Sequence, residues 1–329
     1  MKTHQKFPRA YAAASLMLLT LSLLLSGCSK SDSPNTATEF LLDTVVSITV
    51  YRTRDEAAQK QAFSMIRDYE RIFSRKDPES ELYRVNSSAG EEITVSEELF
   101  QVLNASYLYA SRFPEYFDIT LGAVSDLYDF GRANHVPTDE ELKEALSHTG
   151  IDKIHLIEKE SGYAVKKDDP DLKIDLGAVA KGYIADRLAL FFRTAEVPGA
   201  LINLGGNVYA VGKKPGDQPF TVGIRDPRTE GGIVHKVKVT DQSVVTSGNY
   251  ERCFEANGKR YHHLLDPKTG LPAWTDLSSV TVISESSMLS DMLSTLLFVA
   301  GKEKASSITP YFGPLQVIWL TDSYEVIEE

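Results

Sequence analysis

Residues 284–301 read SESSMLSDMLSTLLFVAG, and this run restricts the fold more than any other in the chain. Met288, Leu289, Met292, Leu293, Leu296, Leu297 and Phe298 leave almost no polar face on a helix over 286–300. A helix that is apolar nearly all round has to be enclosed by the rest of the protein rather than laid on its surface. Enough chain is present to enclose it: 329 residues, 42% of them hydrophobic, suffice for one large domain or two small ones. Within the run, Asp291 and Thr295 stand four apart and so share one helix face. A carboxylate is expensive to bury unless it is paired or coordinates a cation. Acid and hydroxyl oxygens together suit a hard ion such as Mg²⁺. The competing reading is a polar stripe turned to solvent.

The remaining patterns mix both periodicities. TVVSITVY at 44–51 alternates as a strand, and further strands are expected at 153–158, 162–166, 172–175, 200–203, 207–212, 219–224, 234–239, 243–247, 279–283 and 315–320. Helical spacing runs through 55–73, 97–112, 138–147 and 178–193, the third capped by Thr138 with Glu141 three residues on. Strands and helices interleave with several hairpin-like pairs, which points to α+β rather than a regular doubly wound sheet.

The first residues stand outside this pattern. Lys2, Lys6 and Arg9 precede an apolar stretch at 11–25 that ends in Leu25-Ser26-Gly27-Cys28. That is the order of a secretory signal, residues 1–27, with an apolar core short for a membrane span. A Cys directly after small residues resembles the bacterial lipobox, so Cys28 is the expected lipidation site. The expected location is a lipid anchor on the extracytoplasmic face of the cell membrane. Plain cleavage with an incidental Cys28 is the alternative. Residues 28–38, SKSDSPNTAT after the Cys, read as a flexible tether, and 39–329 as the folded domain. Cys253 is then the one remaining cysteine, so no intramolecular disulfide forms and the thiol reads as a small apolar filler. A net charge of −11 lacks the basic footprint of a nucleic-acid binder.

Four other stretches carry candidate chemistry. In KIDLGAVAKGYIADR (173–187) an acid, Asp175, precedes small residues, Lys181 and a helix start. Small residues permit close backbone approach, and a helix N-terminus with a lysine suits a phosphate; a tight turn with a surface lysine is the plain reading. In NLGGN (203–207) the paired Gly205 and Gly206 form either a bulged hairpin or a backbone wall beside a flat ligand. Between 247 and 272, SGNY is followed by YHHLLDPKTG, where only one of the adjacent His262 and His263 can face a site from a strand. FDITLGAVSDLYDFG (117–131) brackets a glycine with aromatics that favour a core.

In this order the blocks LDTVVSITVY, FSRKDPESELYRVN, FDITLGAVSDLYDFG, KIDLGAVAKGYIADRL, INLGGNVYAVG, VGIRDPR, SGNYER, YHHLLDPKTG and SDMLSTLLFVAG resemble the ApbE family of FAD:protein FMN transferases, over roughly residues 42–301. The resemblance implies an α+β, two-lobed fold with FAD, as substrate, in the cleft between lobes. It implies that Asp175 and Lys181 contact FAD, and that the Ala178 carbonyl, Asp291 and Thr295 hold Mg²⁺. Leu42, Thr120, Leu121, Gly122, Gly205 and Gly206 would line the flavin-nucleotide cleft, with Arg225 shaping the nucleotide pocket. His263 would assist deprotonation of the acceptor, a role an acid near the metal could also fill. Three departures from the usual pattern stand out: Leu42-Asp43-Thr44 for Met-Gly-Thr, Tyr128-Asp129 where a Trp is usual, and Ser290 and Met292 where Ala flanks the metal-helix Asp. The implied reaction moves FMN from FAD to a Thr or Ser hydroxyl of an exported acceptor flavoprotein, releasing AMP. Hydrolysis of FAD to FMN and AMP, and a non-catalytic FAD-binding lipoprotein, are the competing functions.

Overall fold

The computed structural model describes residues 34–51 and 56–329; the leader and Cys28 lie outside the described residues. The chain opens with a hairpin, β1 (Asn35–Leu41) and β2 (Thr44–Tyr51), then α1 (Ala57–Phe73), α2 (Glu81–Asn86), β3 (Ile93–Val95) and α3 (Glu97–Arg112). Next come α4 (Gly122–Tyr128), α5 (Asp139–Ser147), β4 (Ile154–Lys159), β5 (Gly162–Lys167) and α6 (Ala180–Thr194). The hairpins β6 (Gly199–Leu204)/β7 (Asn207–Gly212) and β8 (Phe220–Arg225)/β9 (Ile233–Val239) precede β10 (Gln242–Gly248). A short hairpin, β11 (Cys253–Ala256)/β12 (Lys259–His262), is followed by β13 (Leu277–Ser284), α7 (Ser287–Ala300), α8 (Lys302–Ile308), β14 (Gln316–Thr321) and β15 (Val326–Glu328).

An eight-stranded sheet in the order β1-β2-β6-β7-β10-β13-β14-β15 organises the molecule, and every neighbouring pair in it is antiparallel. Alternation decides which residues meet which layer. Tyr209, Val211, Val280, Val282, Val317 and Trp319 join the large cluster that contains α6 and α7. Val208, Ala210, Val244, Ile283 and Ile318 point the other way, under the β8–β9 ribbon. Covered on both faces, β13 is buried at all eight positions. The apolar α7 is thereby wrapped as its sequence demands, with nine buried residues.

Two smaller units complete the fold. The sheet β3-β5-β4 packs with α3. A separate cluster joins α4 and α5 to the β11–β12 region through Val124, Tyr128, Leu142, Ala145, Tyr261 and Leu265. The Tyr128 hydroxyl donates to the Gly270 carbonyl at 2.8 Å, so the aromatics of 117–131 are core, as their pattern favours. The capping box of α5 forms as read, with Thr138 and Glu141 each satisfying the other's backbone N–H.

Three local expectations are corrected. Asn35–Thr38, expected in the tether, are already paired with β2, because Thr, Ala and Thr alternate against its open edge. The 203–207 turn carries no bulge: Leu204 pairs with Asn207 across a two-residue turn with both glycines at positive φ. Residues 172–175 form no strand. Leu172, Ile174 and Leu176 are buried in alternation, but the segment makes only a single bridge, Lys173 to Leu121.

Candidate active site

The site begins where α6 crosses α7 at Gly182. A Cβ placed on Gly182 would lie 2.4 Å from the Ser287 carbonyl oxygen and 2.6 Å from Met288 Cα, so the helices touch backbone to backbone. At this distance the Gly182 N–H donates to Asp291 Oδ2 at 2.9 Å, and Lys181 Nζ sits 3.7 Å from Oδ1. One turn further along α6, Asp186 accepts from Ser286 Oγ and from the N–H groups of Ser287 and Met288, bracing the start of α7. Asp291 is 4% exposed. Burial pushes its carboxyl above the usual range, against the pull of Lys181 and the Gly182 amide.

The polar residues of α7 do not face solvent. Ser287 donates to Asn207 Oδ1, Ser290 meets Ser243 and Ser284, and Ser294 and Thr295 both meet Ser247 Oγ, at 2.9 and 3.1 Å. The stripe therefore seats α7 on the sheet in one register, while Asp291 meets α6 through the Gly182 N–H. Because the Gly182 N–H goes to Asp291, it does not return to the Ala178 carbonyl four residues back. A carboxylate, a hydroxyl and a released carbonyl are an all-oxygen set of the kind a hard divalent ion takes.

The next group surrounds Asp175. Its Oδ1 accepts from the Gly177 N–H at 2.8 Å, and its Oδ2 pairs with Arg75. Arg75 also pairs with Asp126 and donates to the Gly122 carbonyl at 3.2 Å. Burial opposes ionisation of Asp175, yet Arg75 and the Gly177 amide outweigh it and hold the carboxyl below its usual range. Gly122 is required here, since a Cβ would meet the Lys173 carbonyl oxygen at 2.5 Å. Leu121 contributes the backbone bridge to Lys173.

His263 closes the corner. Its Nδ1 lies 3.0 Å from the Glu251 carbonyl, which can only accept, so Nδ1 carries the proton and Nε2 is left as a base. Burial, then Arg252, drives its pKa down to about 3. His262, the last residue of β12, lies against Phe298 with Nδ1 unpartnered. The Glu251 carboxyl is pushed up by burial, while Lys181, Arg225 and Arg252 pull it down and Asp291 raises it further, so these charges share one neighbourhood. Glu251 Oε1 is 3.8 Å from the place a Cβ would take on Gly206. Arg225 itself is exposed, 5.7 Å over the Tyr250 ring. Arg252 also acts on Asp43 in the β1–β2 turn, beside Leu42, which places that turn near the same charges. Leu42 donates its N–H to the Glu70 carboxylate. Gly205 abuts Thr44 so closely that a Cβ would come within 2.3 Å of its hydroxyl.

Thr120 is fully buried; its hydroxyl donates to Asp118 Oδ1 and accepts the Gly150 N–H, so its side chain ties two loops together. His148, Asp169 and Asp171 form another grouping, in which Lys153 and His148 already pair with Asp169.

Residues 42–319 match the sequence model of the ApbE family. The chain belongs to the ApbE family. One relative, the FAD:protein FMN transferase of Klebsiella pneumoniae (strain 342), is 35% identical over 278 residues, 84% of this chain and 85% of the relative. The protein of the same name from Treponema pallidum (strain Nichols) is 34% identical over 303 residues, 86% and 83% of the two chains. Among solved structures, the ApbE protein of Thermotoga maritima superposes with a TM-score of 0.82 at 31% identity, covering 90% of this chain and 97% of the other. Flavin transferase ApbE from Vibrio cholerae gives 0.79 at 26% identity, covering 90% and 96%. The α+β fold of this chain is the ApbE fold.

Within this ApbE chain the sequence reading missed Arg75, Glu251 and Asp186. Arg75 and Glu251 stood inside matched blocks, but a charged residue in a block gives no signal until its partner is known. Asp186 had a signal, an acid in KGYIADR one turn beyond Lys181, but its partners lie about a hundred residues on.

Proposed function

We propose that this ApbE protein transfers FMN from FAD to a Thr or Ser hydroxyl of an exported acceptor protein, from a lipid anchor at Cys28 on the outer face of the membrane. The observation that carries the chemistry is the meeting of Asp291, Lys181 and the Gly182 amide at the α6–α7 crossing. Asp291, Thr295 and the Ala178 carbonyl would hold Mg²⁺, which supplies charge neutralisation at pyrophosphate oxygens. Asp175, Lys181, Arg225 and the backbone at Leu42, Leu121–Gly122 and Gly205–Gly206 would seat the dinucleotide, with Lys181 adding positive charge beside its phosphates. The acceptor oxygen bonds to the FMN-side phosphorus, the bond from that phosphorus to the bridging oxygen breaks, and AMP leaves with that oxygen. The hydroxyl proton passes to Nε2 of His263, the ring nitrogen that the Nδ1–Glu251 bond leaves bare. Catalysis of this kind rests on positioning and charge. The anchor rests on the Leu-Ser-Gly-Cys sequence alone; among the described residues no helix is long and apolar enough to cross a membrane.

The test is incubation with FAD, Mg²⁺ and an exported flavoprotein subunit, followed by in-gel flavin fluorescence and intact mass. Labelling of the acceptor by wild type and its loss in Asp291→Ala are expected. Release of AMP without any acceptor would favour hydrolysis, and undiminished labelling by Asp291→Ala would remove the metal-centred reading.

A further inference from the structure

The segment that carries Asp175 reaches the site without a sheet to hold it, and a polar scaffold takes the sheet's place. The Asn86 side chain grips the Ile174 peptide from both sides: its Nδ2 donates to the Ile174 carbonyl at 2.9 Å, and its Oδ1 accepts the Ile174 N–H at 2.7 Å. This is the pair of bonds a neighbouring strand would otherwise provide. Asn86 ends α2, and its own carbonyl accepts Lys167 Nζ at 2.8 Å. Lys167 ends β5 and is 0% exposed; its other two hydrogens go to the carbonyls of Pro170 at 3.1 Å and Leu172 at 2.8 Å. The ammonium thus meets three carbonyls and no carboxylate. Beyond Ile174, the Asp175 N–H goes to the Ile119 carbonyl at 2.7 Å.

Burying Leu172, Ile174 and Leu176 needs only apolar neighbours. A buried ammonium and amide add desolvation that an apolar core would avoid, and burial does push the Lys167 pKa down. What a fully satisfied polar network adds is one fixed backbone arrangement. The peptide it fixes here is the one directly before Asp175, and the turn from Gly177 to Lys181 follows at once.

We infer that Asn86 is a positioning residue for the dinucleotide substrate, and that Lys167 holds Asn86 so that Asp175 and the turn to Lys181 meet FAD in place. The inference rests on the flavin-transfer reading. It is tested on the full chain by the FAD dissociation constant, from quenching of flavin fluorescence, beside the thermal midpoint. Asn86→Ala is expected to weaken FAD binding tenfold or more. Asn86→Asp keeps the acceptor for the Ile174 N–H but turns the donor into a carboxylate oxygen facing the Ile174 carbonyl, and should weaken binding at least severalfold. Val102→Ala, a buried truncation on α3 whose side chain makes no hydrogen bond to Asn86 or to the 172–177 segment, supplies a comparable loss of thermal midpoint and should bind FAD within twofold of wild type. Wild-type affinity in both Asn86 variants overturns the inference, as does an equal loss in Val102→Ala, which would mark a merely structural effect. A wild-type chain that binds no FAD would instead sink the flavin reading, and the inference with it.

Discussion

Gly182→Ala puts the helix crossing to a direct test. The added methyl would sit 2.4 Å from the Ser287 carbonyl oxygen, whereas carbon–oxygen contacts settle near 3.3 Å, so α6 and α7 must part by about 1 Å. Both obstructing groups are backbone, so no side chain can swing aside. Alanine favours a helix over glycine by about 1 kcal/mol, but overpacking costs about 1–3 kcal/mol and stretching the amide bond to the Asp291 carboxylate costs about 1 kcal/mol more. The net expectation is a loss of about 2 kcal/mol, read as a lower urea midpoint with an unchanged slope. Function should suffer far more, because a 1 Å displacement of a catalytic group can reduce rate about a hundredfold. Flavin labelling of the acceptor, followed in time by in-gel fluorescence, measures this. A variant as stable as wild type that labels at the wild-type rate would refute the backbone-contact geometry and the role assigned to the Gly182–Asp291 bond.

Two further outcomes follow from local physics. His262 and His263 have folded pKa values near 4 and 3, below the ordinary 6.5, so the unfolded chain binds protons that the folded chain refuses. Their contribution is complete above pH 6.5 and is lost as pH falls toward 4 and 3; His263→Gln should flatten that decline in urea midpoints between pH 7 and 4.5, and an unchanged decline would contradict the burial of this imidazole. Thr138→Ala removes one half of the α5 capping box and should lower stability by about 1 kcal/mol while leaving flavin labelling unaltered, since the cap lies on the exposed end of a peripheral helix.

Much of this architecture could be read before the structure. The strand at 44–51, the helices at 97–112 and 286–300 and the α5 cap are local events, decided by alternation, helical spacing and a cap four residues long. The residues 172–175 were misjudged because alternation reports burial, not pairing, and Asn86 provided the bonds from a distant helix. The partners of the Thr120 hydroxyl were not legible, because a motif says which residue is present and not where its hydroxyl turns.

By itself the sequence determined that α7 must be enclosed, that an acid within it needs a partner, and that the ordered motifs are those of the ApbE family. Only tertiary structure decided which partner: the Gly182 amide and Lys181, 109 positions away along the chain for the bonded amide. It likewise paired Arg75 with Asp175 and turned His263 rather than His262 toward the site. The reason is physical. Burial and helix or strand period act within a few residues, whereas the charge state and reach of a buried side chain depend on whatever the fold brings within about 4 Å of it.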